Sequence, residues 1–181
     1  MRSGCRHDLG LIPGPPGLVF LALVLTLVPA GCSDPEPRSL DSLVERDGRY
    51  LDPDGFQPYS GPVVSMYPDE PDAVEMTARL RDGVFDGPYE RFYRDGSLFG
   101  HGRYRDGVWH GPFESFYEDG SPWMRGRYED GVLDGPYVAY SEDGSVEEEG
   151  TYADGEPCGL WERDGREESH PPCPTDTDPD G

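Results

Sequence analysis

Residues 106–130 read DGVWHGPFESFYEDGSPWMRGRYED, and the fold turns on whether this stretch is a site or one copy of a repeated unit. Taken alone, it gathers a histidine, carboxylates and aromatic rings, the ingredients of an acid–base cleft. Its two ends argue otherwise. Asp106-Gly107 returns as Asp130-Gly131, and the same pair stands at Asp82-Gly83 and Asp154-Gly155, a spacing of 24 throughout. A second glycine column follows at Gly87, Gly111, Gly135 and Gly159, a third at Gly96, Gly120 and Gly144, and a fourth at Gly102, Gly126 and Gly150. Four columns in register define a tandem repeat, and a repeat multiplies every motif it contains.

Within one unit, PFESFY alternates aromatic and polar residues before EDGS. Asp-Gly is a strong hairpin signal because glycine tolerates positive φ. WMRGRY reads as the returning strand, and DGVLDG as the longer connection to the next unit. The expected fold is all-β: an elongated single-layer antiparallel sheet of tandem 24-residue β-hairpins with disordered termini. An irregular early copy is read at Arg49-Tyr50, Gly61-Pro62 and Met66-Tyr67, with an inserted loop over residues 68–77. GLWERDG, residues 159–165, reads as a truncated last copy, as expected of units that cap an array.

Strand parity distributes the rings. Tyr89, Phe113, Tyr137 and Trp161 form one column, and Phe92, Phe116 and Tyr140, three residues later, point to the other face. Equivalent positions lie roughly 10 Å apart across two strands, so each column needs filling, and Tyr104, Tyr128 and Tyr152 are the expected fillers. Should the sheet have a binding face, its candidate aromatics are Phe92, Phe116, Tyr140, Trp109 and Trp123.

The 181 residues hold 37 acidic against 15 basic side chains, a net charge of -22, and every Lys/Arg position is Arg. That field repels nucleic acid and anionic headgroups, which bind by placing phosphate on cationic surface. No nucleic-acid partner is expected, and basic protein surfaces are the easier fit.

At the N-terminus, Arg2 and Arg6 precede an apolar run from Leu18 to Val28. It is too short for a spanning helix, which needs about 20 residues, and suits a signal-peptide core. Two cleavages fit. Ala30-Gly31-Cys32-Ser33 resembles the end of a bacterial lipobox, with Cys32 lipidated, while Val28-Pro29-Ala30 suits ordinary signal peptidase. On the lipoprotein reading, residues 1–31 are the signal, 32–48 a lipidated tether, 49–165 the repeat sheet and 166–181 an acidic Pro-rich tail. Acyl chains on Cys32 would anchor the protein to a membrane. Ser33 after the Cys resembles the outer-membrane sorting rule of Gram-negative lipoproteins, which implies an outer-membrane protein facing the periplasm or the surface. Cys158 and Cys173 then remain as a pair in an oxidising compartment, where a disulfide is expected.

In DGVFDGPYERFYRDGSL and DGVWHGPFESFYEDGSP the chain resembles the MORN-repeat family, in its bacterial variant. The resemblance covers residues 49–165 and implies a β-hairpin sheet serving membrane association, dimerisation or protein binding, without catalytic residues. Some bacterial relatives of this kind carry the label of toxin–antitoxin antitoxin component.

The chemistry inside the repeat follows the same logic. His110 holds a place filled by Asp86 and Asp134 in sister units, and the carboxylates mostly stand at turns. No nucleophile elbow, phosphate loop or zinc-spaced cluster is present in the sequence, so no enzyme activity, cofactor or metal is expected. DTDPDG, residues 176–181, opens like a calcium loop but lacks the distal Glu, and reads as a solvated tail. The expected function is an exported, membrane-anchored, non-catalytic protein-binding or envelope scaffold module. The rival reading is an antitoxin- or immunity-type component that neutralises an exported toxin.

Overall fold

A computed structural model describes residues 35–174. The chain divides into Met1–Ser33 and Asp34–Gly181, and every described residue falls in the second unit. The expected signal segment, Cys32 and residues 175–181 lie outside the described residues.

Three short strands come first: β1 (Arg38–Ser39), β2 (Val44–Arg46) and β3 (Arg49–Leu51). The array follows as β4 (Gly61–Tyr67), β5 (Glu70–Arg81), β6 (Val84–Phe92), β7 (Leu98–Arg105), β8 (Val108–Trp109), β9 (Gly111–Phe116), β10 (Pro122–Glu129), β11 (Val132–Leu133), β12 (Gly135–Tyr140), β13 (Val146–Ala153), β14 (Glu156–Arg163) and β15 (Arg166–Ser169). The strands pair in chain order from β4 to β15, with β8 on β7 and β11 on β10, and β1 lies outside β4. Among the described residues only the β1–β4 pairing is parallel. The sheet is a single layer of successive hairpins, as the period required. Spaced at about 4.8 Å, the strands of its main path extend roughly 45–50 Å.

Two kinds of turn alternate along its long edges. At Asp82-Gly83, Asp106-Gly107, Asp130-Gly131 and Asp154-Gly155 both residues have positive φ, near +48° for each Asp and +81° to +90° for the glycines. That is the mirror-image two-residue turn whose twist matches a hairpin. At Gly96, Gly120 and Gly144 the glycine is in the left-handed region, while the preceding Asp95, Asp119 and Asp143 each accept the N–H of the Ser two residues on, at 2.8–2.9 Å. The segment DGVLDG is therefore not a loose connection. Asp130-Gly131 turns tightly, Val132–Leu133 already pairs with β10, and a kink at Asp134-Gly135, with Asp134 N–H on the Arg127 carbonyl at 2.9 Å, absorbs the surplus residues.

Hydrogen bonds also link one unit to the next at both edges. On the Asp-Gly edge, the N–H of Gly107, Gly131 and Gly155 donates to the carbonyl of Phe85, Trp109 and Leu133 of the preceding unit, at 2.8–2.9 Å. On the opposite edge, the hydroxyls of Tyr67, Tyr93 and Tyr117 donate to the carbonyls of Phe92, Phe116 and Tyr140 of the following one, at 2.7–2.8 Å. The tyrosine series stops where Ser141 takes the next place, its hydroxyl bonded locally to Asp143.

Three further parts of the sequence reading are corrected. The inserted loop over residues 68–77 is strand from Glu70 onward; its extra residues form a bulge, because Tyr67 pairs with Glu70 and Met66 with Val74. Arg49–Leu51 lies outside the main sheet and pairs with β2 in a small sheet, where Tyr50 packs on Phe85, centroids 5.7 Å apart. Residues 166–169, read as the start of a tail, form strand β15, because Asp164-Gly165 is one more tight turn with φ +51° and +69°.

The face bearing Tyr89 and Phe113 holds the core. At its N-terminal end Leu43, Val63, Met76, Ala78 and Leu80 are buried under Leu40, Tyr50 and Tyr59. Toward the C-terminal end Trp161 is 1% exposed, its indole N–H donating to the carbonyls of Thr151 and Cys158. Between them the columns interlock through the expected fillers: Tyr89–Tyr104 at 5.5 Å, Phe113–Tyr128 at 4.9 Å and Tyr137–Tyr152 at 5.4 Å between centroids. We predict that Tyr117→Phe, which removes one hydroxyl tie between units, lowers unfolding free energy by about 0.5–1.5 kcal/mol. Urea denaturation followed by circular dichroism measures it.

Candidate binding face

The cleft begins with small residues. Gly100 of β7 lies directly opposite Ser115 of β9, and a Cβ on Gly100 would stand 2.8 Å from the Glu114 carbonyl. The sheet therefore has a bare floor here. Tyr89, Trp109 and Phe113 stand on one side of it and Phe99 and Trp123 on the other, around a cleft of about 290 Å³. Arg91 lies at its margin, its guanidinium 5.4 Å from the centre of the Phe99 ring and its charge paired with Glu75 at 3.1 Å.

Bulges bring Phe99 and Trp123 onto this face. Arg91 pairs with Gly100 and Phe92 with Leu98, leaving Phe99 surplus; Ser115 pairs with Met124 and Phe116 with Pro122, leaving Trp123 surplus. A surplus residue turns toward the side of its neighbour instead of alternating, and the two rings meet at 6.0 Å. Burial among the rings pushes the Tyr89 and Tyr104 phenols above their ordinary value, so both remain neutral at physiological pH.

The five aromatics selected from the sequence are split between two faces. Trp109 and Trp123 line the cleft. Phe116 lies on the opposite face against His101 at 6.0 Å, and Tyr140 lies under Arg125 at 5.8 Å. Phe92 has the parity of that second face and accepts the Tyr67 hydroxyl on its carbonyl. The cleft also holds Phe99, 24 residues before Trp123, which the sequence reading does not single out.

His101 and His110 stand among charged side chains, and the buried Nδ1 of His110 makes no hydrogen bond among the described residues. In the column of His110, Asp86 and Asp134 accept the N–H of Asp106 and Asp154, at 3.3 and 3.2 Å, tying each unit to the next turn. His110 instead stands beside Glu129 and Asp130, with Nδ1 3.4 Å from Glu129, and takes Arg105 on Nε2 at 2.8 Å. Because Arg105 donates to Nε2, a neutral ring carries its proton on Nδ1, facing the carboxylates. The same guanidinium also reaches Asp130. The group of His110, Glu129 and Asp130 is thus closed by an arginine and turns a proton, not a lone pair, toward any cation. Its arrangement is that of an ion-pair network. His101 lies 3.5 Å from Glu114 on the opposite face.

The fourth place of the His110 column is Cys158, joined to Cys173 by a disulfide with Cα atoms 4.8 Å apart. Gly159 and the following chain close the same corner: the Gly159 N–H donates to Pro171 and the His170 N–H to Gly159, at 2.8 and 2.9 Å. His170 then stands edge-on to Trp161 at 6.0 Å. The cysteine bridge and the N-terminal cover thus leave the middle of the aromatic face open between two closed ends.

A regular run of hairpins with constant internal spacing and, among the described residues, no further layer defines a β-hairpin repeat protein. Residues 109–130 and 133–154 each match the family model described as MORN repeat variant, and these two adjacent repeats support a place in the MORN-repeat family. No curated protein matches the chain. Repeats of this kind are consistent with a repeat-based binding or scaffold module.

Two outcomes are expected here. His110→Asp restores the carboxylate found in the sister units, so stability should stay within about 1 kcal/mol of the parent in urea denaturation. Asp143, which accepts the N–H of Ser145 and the hydroxyls of Ser145 and Ser141, has its pKa lowered to about 2. Asp119 and Asp95 shift in the same direction, chiefly through the hydroxyls of Ser121 and Ser97. The unfolded carboxyl titrates near 3.9. The stability Asp143 contributes is therefore present above about pH 4 and lost as pH falls through about 2; that of Asp95 and Asp119 is lost in the same direction, as pH falls. Carboxyl-resolved NMR titration should place Asp143 at about 2, with Ser145→Ala moving it upward.

Proposed function

We propose that this protein is a non-catalytic binding module, exported and held at the cell envelope by lipid on Cys32, where its repeat sheet scaffolds or captures another protein. The observation that carries the reading is the aromatic cleft over Gly100 and Ser115, open in the middle of a face whose two ends are closed. Rings held against their neighbours lose little side-chain entropy when a partner covers them, and aromatic anchors in such hollows dominate many protein interfaces. The engagement of His110 by Arg105 supports the non-catalytic reading. The net charge of -22 favours a partner with a basic surface, which also suits the second reading, a neutraliser of a basic exported toxin.

Two measurements test this proposal. A photocrosslinking residue at position 123 should capture a discrete envelope protein from intact cells, while the same residue at position 116, on the other face, should not. Equal capture from both would remove the cleft from the interface, and a small basic toxin as the captured species would select the second reading. Cys32→Ser should abolish palmitate labelling and release the protein from membranes; retention in the membrane fraction would remove the lipid anchor.

A further inference from the structure

The far end of the sheet differs from its middle in both charge and edge. On the face opposite the aromatic cleft, one row of residues runs across the strands in register. In the middle of the row Glu90, His101, Glu114 and Arg125 stand directly opposite one another in turn, so that carboxylates and nitrogen bases alternate. Glu114 lies 3.5 Å from both His101 and Arg125. Beyond Val138 the alternation ends. Glu149, Glu162 and Glu167 follow one another on β13, β14 and β15, all exposed and, among the described residues, without an ion-pair partner. Like charges directly opposite on neighbouring strands oppose sheet formation, so this end carries an unfavourable term that the middle avoids.

The same end is open. β15 is the last strand in the order, and among the described residues nothing pairs with its outer side. Arg163 and Arg166 close the tight Asp164-Gly165 turn and Trp161 faces Glu168. In antiparallel alternation the backbone groups of Arg166 and Glu168 therefore turn toward β14, and those of Glu167 and Ser169 turn outward. Beside them Leu160, directly opposite Ser169, is 72% exposed, because the serine is too short to cover it.

We infer that β15 is a docking edge for an extended segment of a partner protein carrying Lys or Arg and an aliphatic residue two positions apart. Added as the next strand, such a segment pairs its backbone with Glu167 and Ser169, the mode by which sheets accept peptides at open edges. Its cation opposite Glu167 continues the charge alternation of the row and answers Glu162 and Glu149 behind it. Its aliphatic side chain, opposite Ser169, lies over Leu160. A second copy of this chain is disfavoured at the same edge, because it would bring the same carboxylates and its own charge of -22. The edge is separate from the aromatic cleft, on the opposite face and at the C-terminal end of the sheet.

The test uses the full protein and two labelled peptides, Thr-Lys-Thr-Val-Thr-Lys-Thr-Val and its counterpart with Glu for Lys, in fluorescence anisotropy at low and high salt. The basic peptide should bind, more weakly as salt rises, and the acidic one should not. Glu167→Lys and Ser169→Pro should each weaken binding by roughly tenfold or more, whereas Trp109→Ala, in the cleft, should leave it unchanged. Hydrogen exchange should slow at the amides of Glu167 and Ser169 when the basic peptide is present. Absence of binding, or equal binding by parent and Glu167→Lys protein that both melt normally, would overturn the inference. So would a dimer that Glu167→Lys disrupts, or crosslinks placing residues 175–181 along β15, since either gives the edge another occupant. Loss of binding in Trp109→Ala alone would transfer the peptide to the cleft and also overturn it.

Discussion

The structure depends on rings lying flat on glycines. Across three successive hairpins in the middle of the array an aromatic residue stands directly opposite a glycine: Tyr89 opposite Gly102, Phe113 opposite Gly126 and Tyr137 opposite Gly150. A Cβ on Gly102 would meet the Trp109 ring at 2.5 Å, one on Gly126 would meet the Phe113 ring at 2.7 Å, and one on Gly150 would run into the Trp161 ring. A single-layer sheet has no second layer to cover its apolar face. Here the face covers itself, because absent side chains let the neighbouring rings tilt over the backbone and touch one another. The 24-residue spacing of the Gly102, Gly126 and Gly150 column follows from that contact as much as the turns follow from theirs.

The same solution sets the limits of the array. Self-covering rings work only where a neighbour exists on each side, so the ends need other means. The N-terminal end uses a small hairpin and a cluster around Val63 and Leu80; the C-terminal end uses Trp161, the Cys158–Cys173 bridge and the returning chain at His170. In the middle, where Gly100 faces Ser115, no ring leans over the backbone and a cleft remains. The candidate binding face is the place where the covering device is interrupted.

Much of this was legible in the sequence, since unbroken periods of glycine and aromatic residues fix both the hairpins and the columns. Tyr104, Tyr128 and Tyr152 could be assigned as fillers from strand spacing alone, and they pack as expected. The bulges were not legible. Phe99 and Trp123 change sides because of one surplus residue after each Asp-Gly-Ser turn, and parity reasoning carries no warning of it. The same blindness made residues 68–77 a loop, where a bulge keeps them in strand β5. The destinations of the Tyr93 and Tyr117 hydroxyls were also hidden, since a hydroxyl's partner lies in the next unit and leaves no mark on local composition.

The most direct test of the ring-on-glycine account is a double-mutant cycle between Phe113→Ala and Gly126→Ala, read by urea denaturation. In the parent, a methyl at 126 must displace the Phe113 ring, an overpacking effect of about 1–3 kcal/mol; once that ring is gone, the close contact left is the Tyr137 ring at 3.2 Å, which needs to yield only slightly. The account predicts strong coupling, with Gly126→Ala far less damaging in the Phe113→Ala background than in the parent. Additive effects, with the alanine at 126 equally damaging in both backgrounds, would contradict it.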